Sequence, residues 1–504
     1  MKLYKLIFNI YTKFFLLFIF CVLLFTYFQL SENFPDPDAF YHLKIGHLIW
    51  QNGVVVDFPW AQYTVLKDYY IDHHLLYHFV LSPFVNLLHP LVGVKVATIL
   101  LASSFIFLFA LIARALKLKA GILLGVIMAV TIPLTFRLNL VKANSLSLII
   151  LFLGIYLVVK KKYIWLFLLS FLYVWAYGGF AVLLLVAIIF CMARFAETKH
   201  ASSLLPIPIV LGGFIAGIII NPYFPKNLWF YWQQVVQIGL VNYQDKIGVG
   251  GEWYPYGFVE LITGCSLLTV LMVTALLIFF IFIKKQSALS WASFILYALG
   301  LFLVLKSRRY IEYYVPFTAF FIVNVFSIFS AKQIIIWLIK FWHYHFINKV
   351  FCFIAVIYIL LVVPAIAYKD FKINLRDLRG GISYNKFAPA MEWLQKNGEK
   401  NTIVLHSDWD EFPMLLFHNS DNYYIVGLDP TFMYKYDEKK YWQWVDITTG
   451  KQKESLPKII KNDFQAKYVF LEKDHTAMDD NMQNFSQFTL IYEDDEAKIY
   501  KLEM

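Results

Sequence analysis

Asp36-Pro37-Asp38-Ala39-Phe40-Tyr41-His42-Leu43-Lys44 opens the first long polar stretch of the chain, and Asp72-His73-His74-Leu75-Leu76-Tyr77-His78 closes it. Two carboxylates one residue apart, on a loop made turn-like by Pro35 and Pro37, can aim at one cation or one departing proton. The same residues suit an Asp-Pro turn capping a helix over 39–50, since Asp is a favoured N-cap. Which reading applies depends on the side of a membrane the loop occupies, and the hydrophobic runs around it decide that.

The 504 residues are 60% hydrophobic, 19% aromatic and 15% charged, with a mean hydropathy of +0.61. Soluble globular chains do not have this composition, so the expectation is a polytopic α-helical membrane protein. The net charge of +10 does not indicate nucleic acid, because the basic residues fall in short clusters between apolar runs, where they set orientation. Cys21, Cys191, Cys265 and Cys352 all lie in or beside apolar runs, which excludes a disulfide framework or a Cys-based metal site.

Residues 14–30 follow Lys2, Lys5 and Lys13, with bulky Tyr27, Phe28 and Gln29 where a cleavage site needs small residues, and so predict an uncleaved first span. Further apolar runs at 92–115, 120–136, 143–159, 163–177, 179–194, 204–221, 257–283, 288–305, 310–330 and 348–367 bring the expectation to about 11 spans. The short pair meeting at Trp175-Ala176-Tyr177-Gly178-Gly179 can lower the count by two without changing parity. Arg114/Lys117/Lys119, Lys160-Lys161-Lys162, Arg194/Lys199, Lys284-Lys285 and Lys332/Lys340/Lys349 fall on alternate connections, on the side of the N-terminus. That side is predicted to be cytoplasmic. The first external loop, 31–91, and everything after 368 are then outside, periplasmic in a bacterium. Residues 334–345 and 75–88 predict interfacial helices on the inner and outer surfaces respectively.

The outward connections carry Arg137, Asn139, Lys142 and Asn144, then Asn221-Pro222-Tyr223 and Gly250-Gly251-Glu252-Trp253-Tyr254-Pro255, then Lys306, Arg308, Arg309, Tyr310 and Glu312. Polar groups at membrane depth are expensive and usually line a cavity or pathway. The sequence divides into a membrane domain, 1–367, and a soluble extracytoplasmic α/β domain, 368–504. In the latter, 388–397 reads as a helix, and 402–405, 423–426, 467–471, 489–492 and 498–502 read as strands. It contains no nucleophile elbow, phosphate loop or zinc signature.

Taken together, these features resemble the GT-C superfamily of membrane glycosyltransferases, and in particular the catalytic subunits of oligosaccharyltransferases. In that family an acidic motif opens the first external loop, often followed by Tyr-His and a basic residue, as in Asp36 to Lys44 here. Met391-Glu392-Trp393-Leu394-Gln395-Lys396-Asn397, a strand, and Ser407-Asp408-Trp409-Asp410-Glu411-Phe412 are similar in placement to the family's helix, strand and tryptophan-aspartate acceptor motif. The family's Trp-Trp-Asp-Tyr-Gly itself is absent. Asp408-Trp409-Asp410 and Gly427-Leu428-Asp429-Pro430 also resemble elements of uncharacterised bacterial membrane proteins.

The resemblance implies a multi-pass inner-membrane glycosyltransferase that takes a sugar from a polyprenyl-phosphate or polyprenyl-pyrophosphate donor to a glycan, lipid or protein acceptor on the outer face. A lipid-linked-sugar flippase and a non-catalytic glycan-assembly protein are the alternatives. Within that chemistry, Asp36 or Asp38 activates the acceptor. Arg308 and Arg309 bind the donor phosphate as forks, supported by Arg137 and Lys142. Glu252 joins Asp36 and Asp38 as the hard-oxygen set for a divalent cation, Mg or Mn, if one is used. His42, Asp72, His74, Trp409 and Asp410 are assigned to the acceptor or to its loops. Simpler readings stand beside these: Arg308-Arg309 as a headgroup anchor, Glu252 as a loop residue beside an interfacial Trp253, and Asp72, His73, His74 and His78 as polar positions of an interfacial helix in preference to a metal site. The abundance of Trp and Tyr is read as an interface belt.

Overall fold

Apolar runs become helices, but not all of them become uninterrupted spans. The structure, a computed structural model, describes residues 10–241, 243–329, 333, 349–350, 353–354 and 357–503. The expected inner-surface helix at 334–345, together with Lys2, Lys5, Lys332, Lys340 and Cys352, lies outside the described residues. Four helices are long and apolar enough to cross a membrane: Tyr11–Phe28, Pro90–Ala115, Ala201–Ile219 and Ala288–Lys306. Two further pairs, Gly121–Val130 with Ile132–Leu138 and Phe258–Gly264 with Ser266–Ile281, are bent by 81° and 99°. Counting each bent pair as one span gives up to 6 among the described residues, against the expected 11 or so. The runs at 143–159 and 163–177 form shorter apolar helices, Asn144–Lys160 and Tyr163–Ala176.

The first bend has a local cause. Pro133 cannot donate to the Ala129 carbonyl four residues back, so the helix breaks at Thr131, which is extended at φ −74° and ψ 114°. The hydroxyl of Thr135 donates to the Ala129 oxygen at 2.8 Å and to the Thr131 oxygen at 2.9 Å, supplying what the proline removed. Gly264, at the second break, packs against the Pro133 ring: a Cβ there would lie 3.3 Å from Pro133 Cγ.

By internal contacts the chain forms two units that are not consecutive in sequence. The first comprises Met1–Ser31, Val96–Gly217 and Gly251–Gly380; the second comprises Glu32–Lys95, Ile218–Gly250 and Gly381–Met504. In the first unit, the helix Ile311–Phe326 is buried at every position from Ile311 to Val325, as expected for a helix that is apolar all round. Pro206–Ile219 approaches Tyr163–Ala176 through Gly213 and Gly217, where a Cβ would lie 2.5 Å from the Phe167 oxygen and 2.7 Å from the Phe171 oxygen. Small residues four apart let two helical backbones come this close.

In the second unit, strands β1 (Asn33–Phe34) and β2 (Ile382–Ser383) pair antiparallel. Strands β3 (Ile403–His406), β4 (Tyr423–Tyr424), β5 (Ala466–Glu472), β6 (Phe488–Glu493) and β7 (Ala497–Leu502) form one sheet in the order β4-β3-β5-β7-β6. The β3/β4 and β3/β5 pairs are parallel; β5/β7 and β6/β7 are antiparallel. Strands β3 to β7 fall where the residue pattern places them, β1 and β2 are not expected from it, and Ala388–Asn397 is a helix. The polar loop that opens the chain belongs to this unit. Gln62 and Tyr63 donate their backbone N–H groups to Tyr424 and Ile425 at 2.7 and 3.0 Å, while Tyr424 donates to Trp60 at 2.7 Å. Lys44 Nζ and Trp60 Nε1 both donate to Ser420, at 2.9 Å each.

Candidate functional site

Each unit presents a cluster of polar side chains. In the second unit, the helix Asp38–Asn52 starts at Asp38 with no side-chain cap on its N-cap residue, Pro37. Asp36 closes a short turn instead, its Oδ1 accepting from the Asp38 backbone N–H at 2.9 Å. The turn reading thus applies to Asp36, while Asp38 stands in the first helical turn and both remain partly exposed. One turn on, His42 Nδ1 lies 2.7 Å from His78 Nε2, and His78 Nδ1 lies 2.7 Å from Asp72 Oδ2. The Asp72 carboxylate accepts from His78 Nδ1, and His78 Nε2 and His42 Nδ1 share the second hydrogen bond. His42, Asp72 and His78 are 3%, 3% and 0% exposed, so the chain of three is sealed from water. The other Asp72 oxygen accepts from the His74 backbone N–H at 3.0 Å. The helix Leu75–Leu87 forms as predicted, and its face carrying His78 is buried.

Sequence spacing suggested either a metal site or polar surface positions for Asp72, His73, His74 and His78, and the buried Asp72–His78–His42 chain is neither. Among the described residues, no group of three or more His, Cys, Asp or Glu side chains is placed to hold a metal ion. Of the residues expected to hold a divalent cation, Asp36 and Asp38 belong to the second unit and Glu252 to the first.

In the first unit, Arg137, on the short helix Ile132–Leu138 beyond the proline break, is buried between two carboxylates. Its Nη1 donates to Glu252 Oε2 at 2.5 Å, and its Nη2 and Nε donate to Glu312 Oε2 at 2.9 and 3.3 Å. Tyr177 donates to Glu312 Oε1 at 3.0 Å. Arg309 reaches Glu252 Oε1 and the Tyr177 hydroxyl, both at 3.4 Å, and lies over the Trp253 ring at 4.8 Å. Burial alone would raise the Glu252 carboxyl, but Lys142, Arg137 and Arg309 together hold it well below the usual carboxylate range. Of the five residues assigned from sequence to these connections, Arg137, Lys142 and Arg309 therefore meet around a fourth, Glu252. Arg308 stands apart: it bonds Glu260 at 2.9 Å, with both side chains nearly half exposed, and lies over Tyr256.

Sequence reading places Glu312 among the outward polar residues and Tyr177 where two short apolar runs meet, but assigns neither a role in the site. The available signal was the acidic residue one position into a helix that is otherwise apolar on every face.

Also in the second unit, Trp409 is half-buried just beyond β3, and Asp410 is exposed. Glu411, 1% exposed, accepts from the Ser407 hydroxyl and lies 3.4 Å from His406 Nδ1. Burial raises Glu411 to about 8 and lowers His406 to about 4.

Comparison with solved structures decides what this arrangement of helices and sheet is. The archaeal oligosaccharyltransferase AglB of Archaeoglobus fulgidus, in complex with an inhibitory peptide and a dolichol-phosphate, superposes with a TM-score of 0.65 at 11% identity, over 93% of this chain and 71% of that one. The chain has a GT-C fold. ArnT from Cupriavidus metallidurans bound to undecaprenyl phosphate, also of this fold, matches over 96% of this chain and 97% of its own, with a TM-score of 0.56 and 13% identity. The arabinofuranosyltransferase AftD from Mycobacteria matches over 97% of this chain but 40% of its own, with a TM-score of 0.61 and 13% identity. No family model matches the sequence, and no curated protein does. At these identities the likeness is one of GT-C fold, and the roles of individual residues rest on their chemistry.

Proposed function

We propose that this chain is an inverting glycosyltransferase of the cytoplasmic membrane, moving a sugar from a polyprenyl-phosphate-type donor to an acceptor glycan, lipid or protein on the outer face. The observation that carries the reading is the GT-C fold, shared end to end with a structure bound to undecaprenyl phosphate. It is supported by three cations, Arg137, Arg309 and Lys142, gathered around two carboxylates in the first unit. In this reading the acceptor hydroxyl attacks the anomeric carbon as the bond from that carbon to the phosphate oxygen breaks. The phosphate leaves with the electron pair, and the hydroxyl proton passes to Asp38 or Asp36. Cationic side chains stabilise the charge that grows on the phosphate, with Arg308 and Arg309 as its forks.

The two broken helices favour a second reading, a lipid-linked-sugar flippase, because discontinuous helices also build transporter sites. The two differ in chemistry: a flippase breaks no glycosidic bond. Purified protein is expected to release polyprenyl phosphate from a polyprenyl-linked sugar, and the Asp36→Asn/Asp38→Asn double variant is expected to lose that release while remaining folded. Wild-type turnover in the double variant would remove the carboxylates from the mechanism. In cells lacking the protein, a defined polyprenyl-linked sugar should accumulate by mass spectrometry.

A further inference from the structure

The sheet of the second unit contains a feature that the transfer chemistry above does not use. From β3 the chain passes through the helix Phe412–His418 to β4 on one side. From β4 it returns through the helices Pro430–Tyr436, Glu438–Thr448 and Leu456–Asn462 to β5 on the opposite side of β3. The strand order reverses between β3 and β5, and at the carboxyl ends of such a parallel pair the two departing loops diverge and leave a crevice. A cleft of about 440 Å³ lies there, lined by residues that immediately follow β3 and β5 and by one face of Glu438–Thr448. Its size is within the roughly 300–1,000 Å³ of small-ligand sites.

The lining sets the ligand class. Trp409 and Trp442 supply accessible aromatic faces, Tyr441 and Trp444, each 3% exposed, back the cleft from the core, and Asp408 and Asp474 supply carboxylates. Trp444 is fixed in place by donating its indole N–H to the His406 oxygen at 3.1 Å, and Tyr441 packs edge-on to Trp442 with ring centroids 5.1 Å apart. Among the described residues, no Lys or Arg lines the cleft, and the histidine that does, His475, lies 3.7 Å from the Asp474 carboxylate, so the lining favours a neutral or ammonium-bearing ligand over a phosphate or a uronic acid. Flat aromatic faces carry negative quadrupole charge and attract the partly positive C–H face of a sugar ring, while carboxylates accept from hydroxyl or ammonium groups.

We infer that this cleft binds a neutral or amino-bearing saccharide. It rests on the transferase reading only in taking that saccharide to be the acceptor, which would make the acceptor a glycan in preference to a peptide.

The probe is a printed array carrying neutral, amino-bearing, uronic and phosphorylated oligosaccharides together with Asn-x-Thr peptides, overlaid with the full-length protein in detergent. Retention on neutral or amino-bearing saccharides is expected. Trp442→Ala and Asp474→Asn should each weaken it about tenfold. Both side chains are well exposed, Trp442 at 42% overall and Asp474 at 75% of its side chain, so the unfolding temperature should stay unchanged. No retained saccharide, a preference for uronic, phosphorylated or peptide spots, or retention indifferent to both variants would overturn the inference. Release of polyprenyl phosphate into water without any acceptor tests the transferase reading separately. Saccharide binding without donor cleavage keeps the cleft and removes the transferase; cleavage without saccharide binding does the reverse.

Discussion

Arg137 is worth more to this protein than a count of its bonds suggests, because buried Glu312 and half-buried Glu252 both depend on it. Removing one member of a buried pair leaves its partner's charge uncompensated, at a cost of about 3–5 kcal/mol, whereas replacing the pair by apolar groups is often neutral. Arg137→Ala is therefore expected to lower the thermal unfolding midpoint in detergent steeply, and Arg137→Met with Glu312→Gln should recover much of it. Arg308 behaves differently. Its pair with Glu260 is exposed and contributes little to stability, so its charge can be exchanged for that of a ligand. If Arg308 holds the donor phosphate as a fork, Arg308→Lys should impair turnover nearly as much as Arg308→Ala, by about ten- to a hundredfold, equivalent to about 1.5–3 kcal/mol. Titrating a short-chain polyprenyl-linked sugar against both variants checks this, and unchanged donor dependence returns Arg308 to the role of headgroup anchor.

At the scale of elements, the contact between Pro206–Ile219 and Tyr163–Ala176 depends on two missing side chains. Gly217→Val forces a Cβ to within 2.7 Å of the Phe171 oxygen and should cost about 1–3 kcal/mol. A Cβ at the neighbouring Gly212 meets only the Phe167 ring, at 3.5 Å, so Gly212→Ala should be tolerated; thermal unfolding of the two variants gives the comparison. The segment after β3 carries a pH dependence. Folded Glu411, at about 8 against an ordinary 4.5, holds a proton that the unfolded chain has released, so stability is lost as pH rises between those values. Folded His406, at about 4 against an ordinary 6.5, lacks a proton that the unfolded chain binds, so stability is gained as pH rises between those values. The two oppose each other up to pH 6.5; Asp410, raised by desolvation and its neighbouring carboxylates to about 7, adds to the loss until its own value is reached, and above it the Glu411 contribution remains. Hydrogen-exchange protection of residues 403–411, corrected for intrinsic rates, should fall by about 2 kcal/mol between pH 6.5 and 8. Glu411→Gln should remove most of that fall, leaving the part that belongs to Asp410.

For the whole molecule, the alternation of basic clusters predicts that Asn52 and Lys400 face the outside and Lys161 the cytoplasm. All three are exposed, and Cys21, Cys191 and Cys265 are buried. Single cysteines at these positions, in a background with Cys352 replaced, should label accordingly with an impermeant reagent. Labelling of position 400 only from the inner side would reverse the orientation and remove the outward donor with it.

Composition alone determined the membrane class, because hydropathy is a sum over residues and needs no knowledge of partners. The strands β3 to β7 and the helix Ala388–Asn397 were legible for a related reason: side-chain periodicity and turn residues act within a few positions. The resemblance carried by residues 36–44 and 391–412 pointed to the GT-C fold. A hydropathy window, however, averages across a bend, so the breaks at Thr131 and Cys265 were read as continuous spans until the Pro133 ring and the rescuing Thr135 hydroxyl were seen in place. Nearness in sequence groups Asp72, His73, His74 and His78, while the fold also joins His78 to His42, 36 positions earlier. Arg137 and Glu312, 175 positions apart, each read as an outward polar residue, and only chain closure makes them partners. Local preference is written residue by residue, whereas a buried charge finds its counter-charge only when distant elements meet. The tertiary structure alone could therefore decide which of the predicted charges act on one another and which strand ends enclose a cleft.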